Sequence, residues 1–181
     1  IFISFRRVDG LTFSEASYML STVISELYQE HSYLLDSPAF NAYDKNTFSK
    51  IASGITNPLE LKDSLFFLTR MMQKHYGKPV ILLIDEYDVP LDKAFQHGYY
   101  KEMVALIRGL FGKVLKTNEY LQFAVLTGCL RVSKESIFTG LNNFRVLSIT
   151  DIRFDEQFGF TEEEVKMLLA SYGLESHLEE T

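Results

Sequence analysis

Two periodicities alternate along the chain. Short unbroken apolar runs are separated by longer stretches in which apolar residues recur every three or four positions. The first pattern predicts buried strands and the second predicts amphipathic helices. Residues 1–5, IFISF, read as a strand that ends at Arg6 and Arg7. Thr12 and Glu15 stand at capping-box spacing. Behind them Ala16, Met19, Leu20, Val23, Ile24 and Leu27 predict a helix extending to the neighbourhood of His31. Residues 32–54 are less regular, with a short helix expected over 46–52. Asn57 then offers a cap, Pro58 suits the first turn and Glu60 the third position. Leu61, Leu65, Leu68, Met71 and Met72 line that helix, and Gly77 and Pro79 stop it. Residues 80–84 are a second strand. Residues 99–116 are a helix with Met103, Val104, Ile107, Phe111 and Val114 on one face. Residues 121–126 are a third strand, running into Thr127 and Gly128, and residues 145–149 are expected to add another. Thr161 and Glu164 cap a last helix over 162–171, which Gly173 ends.

Apolar strands separated by helices imply an α/β fold whose parallel sheet carries helices on both faces. In such sheets ligands bind beyond the carboxyl ends of the strands. The run 80–84 drives straight into Asp85 and Glu86, with Asp88 two residues on. An apolar strand ending in Asp-Glu is the Walker B pattern of P-loop NTPases. An aspartate there can orient the Mg²⁺ that bridges nucleotide phosphates. A glutamate beside it can take a proton from the attacking water. The plainer alternative is that Asp85 caps a turn and Glu86 is merely solvated. Thr127 ends the next strand at the same edge, where a sensor would touch the γ-phosphate; its plainer reading is a turn residue before Gly128.

Composition narrows the classes. The chain has 181 residues, 46% of them hydrophobic and 14% aromatic, which suits a single domain with a substantial core. Asp and Glu outnumber Lys and Arg, 24 to 18, so the net charge of -6 argues against a generic nucleic-acid coat. The single cysteine, Cys129, allows no internal disulfide framework and points to a reducing cytoplasm. No His lies near it in sequence, so a nucleophilic role is the lesser reading. The histidines His31, His75, His97 and His177 have no zinc spacing. No apolar run approaches the roughly 18 residues that span a membrane. Ile1 has no methionine before it and its strand reads as already under way, so the expectation is a fragment of a longer protein.

The segments ILLIDEYDVPL, FAVLTGCLRVSKESIFTGLNNFRVLSITD and FGFTEEEV together resemble the predicted AAA-ATPase-like proteins of bacteria. The resemblance implies a P-loop ATPase core that uses ATP and Mg²⁺ and is often fused to a nuclease-like domain of the PD-(D/E)XK type. It implies that Asp85 coordinates Mg²⁺, that Glu86 is the catalytic acid, and that Asp88 belongs to the same cofactor-binding motif. Arg131, four residues after Thr127, resembles an arginine placed to meet nucleotide phosphate. Its alternative is an ion pair with Glu135, one helical turn on. The family's phosphate loop, G-x-x-x-x-G-K-[ST], is absent. The stretch GLFGKVLKT, residues 109–117, imitates it, but its glycines are too close, Val114 replaces the Ser/Thr, and it lies inside an amphipathic helix. The expectation is therefore a partial P-loop NTPase domain that lacks its loop-bearing first strand and is inactive as this fragment alone. With that central strand missing, residues 145–149 would slide over to pair with 121–126, or the fragment would be poorly stable.

Two other functions fit the acids. One is a metal-dependent nuclease or phosphatase built on Asp85, Glu86 and Asp88, although no Glu-x-Lys follows on a strand. The other is a regulatory interaction domain that keeps the fold without the catalysis. Nucleic-acid binding is left open by the sequence.

Overall fold

The computed structural model describes residues 1–54, 57–129, 137–138, 145–148 and 159–174. The chain divides into two compact units, Ile1–Asn142 and Asn143–Thr181. The first unit is α/β. Its strands β1 (Phe2–Ser4), β2 (Val80–Asp85) and β3 (Leu121–Leu126) form a parallel sheet in the order β1-β2-β3. Between them lie α1 (Phe13–Glu30), a 3-10 turn at Ser32–Asp36, α2 (Ala42–Ala52), α3 (Pro58–Tyr76), α4 (Val89–Gln96) and α5 (Tyr100–Leu115).

Local chemistry accounts for the helix ends. The Thr12 side chain accepts from the Glu15 N–H at the start of α1, and Asn57 accepts from Leu59 at the start of α3. Gly77 closes α3 at φ 66°, a left-handed conformation that glycine adopts at little cost. Residues 42–45 extend α2 further back than the apolar pattern alone suggests. Asn41 caps it, accepting from the Asp44 N–H at 2.8 Å. The helix α4 was missing from the sequence expectation. It is eight residues long, and its start is marked in the sequence by Asp88 at the cap position, Pro90 in the first turn and Asp92.

Burial separates the two faces of the sheet. On one face Ile3, Val80, Leu82 and Ile84 lie in a core shared with Leu20, Ile24, Leu65, Leu68, Ile107 and Phe111. On the other face Phe2, Ile81, Leu83, Phe123 and Val125 are all at least 40% exposed. Register explains the division: Ile81 stands beside Phe123, and Leu83 stands beside both Phe2 and Val125. A shift in pairing between Val80 and Ile81 absorbs Gln122 and keeps the two strands in phase. Continuous apolar strands imply helices on both faces; the described helices cover one. Periodicity records that a side chain is apolar, not whether a neighbour arrives to cover it.

The expected strand over 145–149 is not found. Residues 145–148 are exposed and belong to no strand, and Ile149 lies outside the described residues. Val146 and Leu147 have strand-like composition, but a strand also needs a hydrogen-bonding neighbour. Among the described residues β3 pairs only with β2, so the slide of the last strand onto β3 is not seen either. In the second unit, α6 (Glu162–Ser171) is opened by a full capping box between Thr161 and Glu164, as the sequence predicts.

One buried charge ties two helices together. Asp44 is 1% exposed. It accepts hydrogen bonds from Arg70 Nη2 at 3.1 Å and Lys74 Nζ at 2.7 Å, joining α2 to α3. Burial pushes its carboxyl up. The hydrogen bonds and positive charge, with Lys74 foremost, outweigh that and hold it below the ordinary carboxylate range.

Candidate functional site

Because the strands are parallel, the ends of β2 and β3 meet at the same edge of the sheet. The main chain holds them together past the last paired residues. The Thr127 N–H donates to the Ile84 carbonyl at 2.9 Å, and the Tyr87 N–H donates to the Thr127 carbonyl at 3.2 Å. On the opposite side of β2, the Phe5 N–H donates to the Asp85 carbonyl at 2.9 Å. The Asp85 backbone is therefore fixed from one flank by β1 and from the other by the turn after β3.

The side chains meet on this frame. The Thr127 hydroxyl donates a hydrogen bond to Asp85 Oδ1. Asp85 is half-buried and Thr127 is exposed, so the contact lies at the solvent-facing rim of the sheet. Glu86 follows at φ 52°. A left-handed glutamate is costly, and such residues gather at functional turns. Here the conformation ends the strand abruptly at the edge where the carboxylates stand.

Asp88 is 3% exposed. Its main-chain carbonyl accepts from Leu91 at 3.0 Å and Asp92 at 2.9 Å, which makes it the entry residue of α4. Tyr87 is wedged between the two acids. Its ring stands edge-on to Phe111 at 6.4 Å and to Phe138 at 5.6 Å, so the turn is anchored in the core. Burial pushes the Tyr87 hydroxyl up, with a smaller contribution from the neighbouring Asp88 charge. Ile137, 1% exposed, joins the same core beside Phe138.

The structure thus brings Asp85 and Thr127 into contact, sets Glu86 between Asp85 and Tyr87, and places Asp88 beneath the turn. Arg131 and Glu135, its alternative ion-pair partner, lie outside the described residues. The stretch that imitates a phosphate loop, residues 109–117, begins within α5, as expected. The sequence reading passed over Gly128, whose contact with Asp88 is taken up below. Its one signal was a small residue directly after Thr127.

A family model described as "Predicted AAA-ATPase" matches residues 1–138. The chain belongs to that family. An uncharacterised protein from the 5′ region of vnfD in Azotobacter chroococcum mcd 1 is 34% identical over 104 residues. That match covers 57% of this chain and 20% of the relative, so the chain spans about a fifth of the relative's length. No solved structure matches the chain significantly. Among the described residues of this family member, no group of three or more His, Cys, Asp or Glu side chains converges on a metal position. No described helix is long and apolar enough to cross a membrane.

Proposed function

We propose that the full-length protein binds and hydrolyses ATP at the carboxyl edge of this sheet, and that residues 1–181 form part of the ATPase domain. The observation that carries the reading is the Asp85–Thr127 contact, a carboxylate and a hydroxyl from adjacent strand ends, followed at once by a left-handed Glu86. These hard oxygen donors suit Mg²⁺, which takes one or two carboxylates and leaves its other positions to water and phosphate. The absence of a three-ligand cluster among the described residues is compatible with that mode.

In this reading Asp85 holds the metal and Thr127 orients the Asp85 carboxylate. When bound, Mg²⁺ supplies charge neutralisation at the nucleotide phosphates. Glu86 aligns the attacking water and accepts its proton on a carboxylate oxygen. The rigid strand end fixes both groups relative to the phosphates, so little orientation is lost in reaching the transition state. Arg131 would meet phosphate charge that grows in the transition state. A nuclease-like domain elsewhere in the polypeptide is the proposed fused partner. The single thiol, Cys129, supports a cytoplasmic setting.

The test is titration of the full-length protein with ATP, with and without Mg²⁺. Asp85→Ala should abolish the Mg²⁺-dependent part of the affinity and leave metal-free binding in place. Unaltered Mg²⁺ dependence in D85A would remove Asp85 from the metal.

A further inference from the structure

The turns after β2 and β3 are interlocked by more than hydrogen bonds. Gly128 lies directly against the buried Asp88 side chain. A Cβ at position 128 would come within 2.5 Å of Asp88 Oδ1, 2.8 Å of its Cγ and 3.1 Å of Tyr87 Cε1. Only a residue without a side chain allows this approach. Nor can Asp88 easily withdraw. It enters α4, whose Pro90, Leu91 and Ala94 are buried, and the adjacent Tyr87 ring is held by Phe111 and Phe138. Main-chain hydrogen bonds from the Thr127 N–H to the Ile84 carbonyl and from the Tyr87 N–H to the Thr127 carbonyl tie the two turns together as well.

We propose that Asp88 and Gly128 are positioning residues. The Asp88 carboxylate forms a seat for the Gly128 Cα, which sets Thr127 at the height where its hydroxyl meets Asp85 and thereby fixes the orientation of the Asp85 carboxylate. This rests on the proposed ATPase function, and it assigns Asp88 a role exerted through the turn rather than through ligation. A methyl group at 128 must displace the turn, and a displacement of about 1 Å at a catalytic constellation costs on the order of 10²-fold in rate.

The experiment measures kcat and KM for Mg-ATP in the full-length protein and in Gly128→Ala, Asp88→Ala, Asp88→Asn and the G128A/D88A double variant, with thermal unfolding recorded for each. In G128A, kcat/KM for Mg-ATP should fall about 10²-fold, because a misdirected Asp85 carboxylate weakens the metal-dependent affinity as well as the rate. The same alanine should cost much less once residue 88 is alanine, because the two nearest atoms it meets are gone and only Tyr87 Cε1, at 3.1 Å, remains. D88N should recover most of the rate lost in D88A, since the amide fills the same seat; this comparison stands even if G128A fails to fold. Full kcat/KM in G128A, equal cost of G128A in both backgrounds, or D88N as impaired as D88A would each overturn the inference while leaving the ATPase assignment in place. An unaltered protein without turnover would overturn the proposed function and this inference with it.

Discussion

Leu82 and Leu83 are the same residue type on the same strand, one position apart, and the structure separates them sharply. Leu82 is 0% exposed and lies in the core; Leu83 is 40% exposed on the face flanked by Phe2 and Val125. Truncating Leu82 to alanine removes buried carbons and leaves an enclosed cavity, so about 3 kcal/mol of stability should be lost. Truncating Leu83 opens onto solvent and leaves no cavity. The remaining cost is the part of the side chain held out of water, about 1 kcal/mol at about 25 cal/mol per Å². The expected difference is therefore about 2 kcal/mol, or about 4–8 °C in melting temperature for a chain of this size. Urea unfolding of the 181-residue chain, followed by circular dichroism, measures both variants against the same baseline. Equal losses in Leu82→Ala and Leu83→Ala would mean that the second face is covered as thoroughly as the first, against the exposure of Leu83.

Other consequences are sharper at the site. Glu86→Gly should leave the chain up to about 1 kcal/mol more stable than Glu86→Ala, because glycine relieves the left-handed backbone at the expense of extra unfolded-state entropy; denaturant midpoints decide it. Asp44 is held below its ordinary range in the folded state, so its contribution is complete above the unfolded value near pH 4 and is lost as pH falls through the folded value. Asp44→Asn should therefore flatten the acid limb of the stability profile and cost about 2 kcal/mol at pH 7, read by urea titration across pH. Titrated by calorimetry, residues 1–181 alone should bind Mg-ATP more weakly than micromolar, since loop N–H groups and a lysine supply most phosphate contacts in P-loop sites.

Much of the fold could be read from the chain because the signals were local. The Thr12, Asn57 and Thr161 caps and the Gly77 stop each act within a few residues, and each is found where the sequence puts it. The Asp85–Glu86 pair was legible for a similar reason: an apolar strand delivers it to a sheet edge. What could not be read depends on distant neighbours. Phe123 and Val125 are as apolar as Leu126, yet the pairing register turns the first two to the exposed face. Val146 and Leu147 have strand composition, but among the described residues no strand pairs with them. Asp88 is written in the sequence as an acid two residues past the pair, and only the three-dimensional fold shows that Gly128 comes up against it. The α4 helix was short enough, and its entry weak enough, for periodicity to miss it.

The central claim is that Glu86 activates water for ATP hydrolysis. Single-turnover hydrolysis of Mg-ATP by full-length Glu86→Gln, measured beside nucleotide affinity, tests it most directly. The glutamine keeps the shape and loses the base, so affinity should be retained and the rate should drop by about 10²–10⁴-fold. Hydrolysis by E86Q at the rate of the unaltered protein would contradict the account.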